Sequence, residues 1–126
     1  IEPQAIERRL GADKYIEQVA VIGDNRKFVT ALIVPSIPAL QEYAAANGIT
    51  YDSLDELMAD ARIYDLVASR IEALQEGLAS FEKIKKFTLL PKEFTMESGE
   101  LTNTLKIRRP VINRNYSAQI DAMYES

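Results

Sequence analysis

An α+β fold follows from three observations. Two neighbouring β-rich segments are separated by a short polar turn, helix-period segments follow them, and a third β-rich segment lies far downstream, just before a proline. The 126 residues carry 47% apolar and 27% charged side chains, which is enough for one modest core and no second one. The prediction is a single small domain: an antiparallel hairpin plus a further strand, packed with helices.

The elements can be justified in chain order. Pro3 suits a first helical turn, and Ile6 and Leu10 share a face before Gly11 stops that helix. Tyr15 to Ile22 concentrates β-formers (Ile16, Val19, Val21, Ile22), Gly23-Asp24-Asn25 reads as a turn, and Phe28 to Val34 reads as a buried strand ended by Pro35. The short connection predicts a hairpin, with a bulge allowed. Ser36 can cap a helix carrying Leu40, Tyr43 and Ala44, closed by Asn47-Gly48; Asp52 can cap a short turn through Leu54 and Leu57. Ile63, Leu66, Val67, Ile71, Leu74, Leu78 and Phe81 predict a long amphipathic helix sustained to about Ile84, weakened at Gly77 by about 1 kcal/mol relative to Ala. Lys86 to Leu90, closed by Pro91, reads as the third strand, and Pro110 opens a last helix with Val111, Ile112, Tyr116, Ile120 and Met123. The core pattern runs from Ile6 to Met123, with no repeat and no linker inside it.

Composition narrows the chemistry. There is no His and no Cys, so the commonest general base, metal ligand and thiol nucleophile are all missing, and no metal site is expected. The formal net charge of −4 argues against a nucleic-acid partner. No apolar run approaches the length of a membrane span. The chain opens on Ile1, without a visible targeting motif, and reads as a segment of a longer protein.

The most informative stretch is Gly99-Glu100-Leu101-Thr102-Asn103-Thr104-Leu105-Lys106-Ile107-Arg108-Arg109-Pro110. It sets Lys106 between a polar loop and a helix start, where hydroxyls and backbone N–H groups can meet an anion. Gly99 supplies the bend. Thr102 and Thr104 either hydrogen-bond their own backbone or reach a phosphate. Arg108 and Arg109 are either helix-start surface charges or salt-bridge partners for another domain. Lys83, Lys85 and Lys86 are either a solvated helix end or a contact for anionic lipid or, on the resemblance described next, for the 3′-phosphate of coenzyme A.

This stretch closely resembles the C-terminal motif of AMP-forming acyl-CoA synthetases, and Thr-x-Thr-Leu-Lys before a basic pair looks like the long-chain fatty-acid–CoA ligase branch. Pro3-Gln4-Ala5-Ile6-Glu7, Val19 to Asp24, Ala31 to Pro35 and Phe81 to Phe87 with Leu90-Pro91 resemble further parts of that domain, so the similarity covers essentially the whole chain. It departs at Asn103, where the family commonly has Pro, which bears on loop rigidity rather than on the lysine.

The resemblance implies that residues 1–126 are the mobile C-terminal lid, and that a large N-terminal ATP- and acyl-binding domain and the hinge precede them. Lys106 would be the catalytic lysine of acyl-adenylate formation; the lid would then rotate for thioester formation with coenzyme A. Gly23 and Thr104 are the candidate contacts to cofactor. ATP, Mg2+ and coenzyme A serve the full-length enzyme, none held stably by this fragment, and the partners are its own N-terminal domain and a fatty acid. A cytoplasmic location is expected, with peripheral membrane contact as an extension. Two rivals stay open: the lid of an acyl-AMP ligase with a carrier-protein acceptor, and a non-catalytic α+β interaction module. Segment Lys92–Arg109, with Phe94, Met96, Leu101 and Leu105 as its few apolar anchors, is expected to be the least ordered part of the free domain.

Overall fold

The computed structural model describes residues 2–125. Helix α1 (Pro3–Gly11) leads into β1 (Ile16–Ile22) and β2 (Val29–Pro35), followed by α2 (Ile37–Ala46), α3 (Leu54–Ala59), α4 (Ala61–Leu74), β3 (Ile84–Leu89), α5 (Arg109–Asn115) and α6 (Ser117–Met123). The sheet order is β1-β2-β3. The β1–β2 pair is antiparallel, with a bulge between Ile16 and Gln18, and β3 joins β2 in parallel. The α+β class and the hairpin-plus-strand sheet are therefore as the sequence predicts.

Strand alternation sorts the core onto both sheet faces. Val19, Val21, Ala31 and Ile33 face one way and pack with Ile6 and Leu10 of α1 and Val67 and Ile71 of α4. Ala20, Ile22, Leu32 and Val34 face the other way, against Leu90, Phe94, Leu101, Ile112, Ile120 and Met123. Every residue of β2 is buried, as a central strand covered on both faces requires. A third cluster (Leu40, Ala44, Ile49, Leu57, Ile63) joins α2 and α3 to the start of α4.

Four boundaries differ from the sequence expectation. Ser53, not Asp52, caps α3: its hydroxyl accepts the Glu56 N–H at 3.1 Å, while Glu56 reaches back to the Asp52 N–H. Helix α4 ends at Leu74 instead of continuing to about Ile84. Gln75 turns its side chain to accept the Ile84 N–H, Gly77 takes φ +88°, and Phe81 sits on a short 3₁₀ turn with 71% of its surface exposed. Strand β3 accordingly starts at Ile84, two residues early. The last helix is broken at Tyr116 into α5 and α6.

The glycine finding reverses a sign. Inside a helix Gly77 would be improved by alanine; at φ +88° an L side chain is strained even though nothing lies within 4 Å of an added Cβ. Gly77→Ala should therefore lower stability by about 1 kcal/mol in urea unfolding. A gain in stability would mean that the helix runs on through this position.

Asp60 caps α4. Its Oδ1 accepts the Arg62 N–H at 2.8 Å, and the Arg62 guanidinium donates to Oδ1 at 3.0 Å and Oδ2 at 2.8 Å. These bonds, the side-chain one foremost, lower the carboxyl pKa from 3.8 to about 2. Because the folded value lies below the unfolded one, the stabilisation is present above 3.8 and is lost as pH falls through about 2. An NMR titration of the Asp60 carboxyl should show this low midpoint, and Arg62→Ala should move it up towards the ordinary value. An unchanged midpoint in that variant would remove Arg62 as the cause.

Candidate functional site

The Lys106 loop is built as a small hairpin on the outer layer of the sheet. Leu101 and Ile107 form an isolated antiparallel bridge. Within it the Thr102 N–H donates to the Lys106 carbonyl at 2.8 Å, the Leu105 N–H donates to the Thr102 carbonyl at 2.9 Å, and the Thr102 hydroxyl accepts the Lys106 N–H at 3.0 Å. This is a turn followed by a left-handed residue, the usual plan of a three-residue hairpin loop. The left-handed residue is Leu105, at φ 63°, where Gly or Asn is the unstrained choice. Its side chain is 65% exposed, so Leu105 is not the apolar anchor the sequence suggests; Met96 is exposed as well.

Polar anchors take that place. Glu100 is buried and accepts hydrogen bonds from the Ser98 hydroxyl at 2.8 Å and the Asn115 side-chain amide at 3.1 Å, while its carbonyl accepts the Arg108 N–H at 2.8 Å. Tyr116 lies beside it, and burial, then the Glu100 charge, raises the tyrosine pKa. Phe94 is 2% exposed; its N–H donates to Gln18 Oε1 at 2.7 Å and its carbonyl accepts from Gln18 Nε2 at 3.1 Å. Segment Lys92–Arg109 is thus tied to the sheet at several points, and the residues left exposed next to the lysine are the tip, Asn103 to Leu105.

Lys106 itself is exposed, and among the described residues it forms no salt bridge. It lines a groove of about 590 Å³ between its own loop, α1 and the outer edge of β1, together with Gln4, Arg8, Glu17, Val19 and Leu101. A cation without a carboxylate partner at the lip of a groove can neutralise a ligand's negative charge without first giving up an ion pair.

The other predicted site residues fall differently. The Thr104 hydroxyl lies 3.1 Å from that of Thr102, so both hydroxyls bond within the loop, and Thr104 remains exposed. Gly23 follows β1 at the start of the hairpin turn, where its carbonyl accepts the Arg26 N–H; it does not line the lysine groove. Lys85 donates to the Ser80 carbonyl and Lys86 lies over the Phe28 ring, both on β3, the sheet edge opposite β1. Arg109 is not a free surface charge but is paired within the domain. Its guanidinium grips Glu7 of α1 through two bonds, at 2.7 and 3.1 Å, and also donates to the Val21 carbonyl at 2.6 Å. The roles of Glu7 and Gln18 leave no mark in the sequence because their partners lie far away in the chain or are backbone groups, and that of Glu100 because nothing in its local sequence signals the burial of a carboxylate.

Comparison with known proteins gives one consistent result. The family model described as AMP-binding enzyme C-terminal domain matches residues 1–126. A long-chain-fatty-acid–CoA ligase of Mycobacterium tuberculosis, FadD15, is 30% identical over 98% of this chain and 21% of its own length. The peroxisomal long chain acyl-CoA synthetase 7 of Arabidopsis thaliana is 33% identical over 98% of this chain and 18% of its own. Among solved structures, the adenylation domain of a carboxylate reductase from Mycobacterium chelonae superimposes with a TM-score of 0.77 at 27% identity, over 98% of this chain and 18% of that one. The chain spans about a fifth of the length of the curated relatives it matches.

Proposed function

The chain belongs to the AMP-binding enzyme C-terminal domain family, and from that premise we propose that it is the mobile lid of a long-chain fatty-acid–CoA ligase, with Lys106 as the residue brought to the reacting phosphate. The parent protein would convert fatty acid and ATP into acyl-adenylate and pyrophosphate, then pass the acyl group to coenzyme A with release of AMP. The observation that carries this reading is the ammonium of Lys106, which among the described residues has no salt-bridge partner, on a hydrogen-bonded loop at the lip of the groove. Support for the acyl class comes from the relatives, named as long-chain ligases in bacteria, plants and mammals.

The chemistry suits a lysine. As the carboxylate attacks the α-phosphorus of ATP, negative charge gathers on the phosphate oxygens. A protonated ammonium placed between carboxylate and phosphate lowers that charge without exchanging a proton. Thr102 contributes by holding the Lys106 N–H, which fixes the lysine backbone. Mg2+ would arrive with the ATP phosphates, and the acyl tunnel and nucleotide pocket belong to the larger domain. Rotation of the lid between the two half-reactions assembles each site in turn. A cytoplasmic protein, with peripheral membrane contact for its lipid substrate, is the setting this reading fits.

The whole protein that carries this domain, purified and supplied with Mg-ATP and palmitate, should release pyrophosphate and, after addition of coenzyme A, form palmitoyl-CoA. The 126-residue chain under the same conditions should release none. Pyrophosphate release by the isolated chain would overturn the lid assignment. Acyl transfer only to a carrier protein would replace coenzyme A as the acceptor.

A further inference from the structure

We propose that Glu7 and Arg109 form a positioning clamp that sets the Lys106 loop, so that catalysis by the lysine depends on an ion pair outside the reacting atoms; this rests on the role proposed for Lys106. Arg109 is the first residue of α5 and stands three residues after the lysine. Its side chain is 21% exposed and that of Glu7 12%, and each makes more than one hydrogen bond. Glu7 Oε2 accepts the Val21 N–H at 2.7 Å as well as an Arg109 N–H, while Arg109 also donates to the Val21 carbonyl.

The two side chains therefore do for β1 what a neighbouring strand would do. Strand β1 is a sheet edge, and the pair covers the outward N–H and C=O of one residue on it. The clamp thereby joins three parts: helix α1, the edge strand β1 and the exit of the lysine loop. The fork geometry matters. A guanidinium can meet two carboxylate oxygens and a carbonyl at once, whereas an ammonium on a shorter plan cannot reproduce all three bonds.

The loop has its own bridge at Leu101–Ile107 and its buried carboxylate at Glu100, so it has the means to stay folded without the clamp. What the clamp adds is orientation relative to α1 and β1, the other two walls of the groove. A displacement of about 1 Å in such a group costs on the order of a hundredfold in rate.

The test is a double-mutant cycle in the whole protein that carries this domain, assayed for pyrophosphate release with Mg-ATP and palmitate, with Arg109→Lys, Lys106→Ala and the pair. The expectation for Arg109→Lys is a fall in kcat of roughly tenfold to a hundredfold. KM for ATP should stay within about threefold, and thioester formation from supplied palmitoyl-adenylate should stay near the parent rate. In the Lys106→Ala background the same substitution should have no further effect on the first half-reaction, because it acts through the lysine. Equal fractional losses in both backgrounds, or equal losses in both half-reactions, would make the pair merely structural and overturn the proposal. So would full activity of Arg109→Lys beside a crippled Lys106→Ala. If Lys106→Ala itself kept full adenylation, the reading of the lysine would fall first. Should Arg109→Lys not fold, Glu7→Gln goes through the same cycle; it keeps an acceptor for Val21 and removes the charge. Amide exchange in the folded variant gives a second readout: faster exchange at Thr102, Leu105 and Lys106 with unchanged β2 amides is expected, and a uniform increase would count against the clamp.

Discussion

Replacing Lys106 by alanine in the parent protein should lower kcat for acyl-adenylate formation by about a hundredfold to a thousandfold, the loss seen when one preorganised charge-stabilising donor is removed. Thioester formation from supplied acyl-adenylate should be nearly unaffected if, as proposed, the lid presents a different face in that step. The structure makes the substitution clean: Lys106 is exposed and, among the described residues, pairs with no carboxylate, so its removal strands no buried partner. Its backbone N–H, held by Thr102, and its carbonyl, held by the Thr102 N–H, remain in the variant. The measurement is a pair of single-turnover assays, one per half-reaction. A matched loss in both would refute a role confined to adenylation.

Phe94→Ala should give the largest loss of stability, about 3–5 kcal/mol by urea unfolding. Phe94 is among the largest fully buried side chains and meets Tyr116 edge-on, with ring centroids 6.0 Å apart. It packs between the sheet and the helices that follow the lysine loop. Domains of this size are stable by about 5–15 kcal/mol in total, so the variant would sit near its unfolding threshold. Its backbone bonds to Gln18 use main-chain atoms and are kept, so the loss reports packing alone. A change below about 1 kcal/mol would mean that the site collapses around the smaller residue.

The two strands of the hairpin were legible because both are dense in β-formers and are bounded by turn residues and Pro35, and no distant group has to act for that pattern to emerge. The stop of α4 was not. Leu78 and Phe81 continue the helical spacing past Gly77, and the break depends on Gln75 capturing the Ile84 N–H, a tertiary contact with no local mark. The break at Tyr116 is of the same kind, in a segment whose apolar spacing suits one helix. For the site, the polar loop offered Lys106 as an anion contact, and the resemblance to a known family, not residue types alone, set it apart from an ordinary surface lysine. The anchors of the segment Lys92–Arg109 were only partly legible: Phe94 and Leu101 are buried as apolar residues should be, whereas Glu100, Ser98, Asn115 and Gln18 fasten the segment through hydrogen bonds that composition does not reveal. The Glu7–Arg109 pair spans nearly the whole chain and could be found only in three dimensions.

The parallel placement of β3 against β2 has a consequence for the order in which the molecule forms. Hairpin β1–β2 and its contact with α1 close over short stretches of chain, so they can form early at small entropic cost. Strand β3 pairs only after the whole crossover through α2, α3 and α4 has been drawn back onto the sheet. Pairing at such sequence separation is intrinsically slow. The docking of β3 should therefore govern the refolding rate, and with it the time during which one side of β2, the most apolar strand of the domain, stays open to other chains.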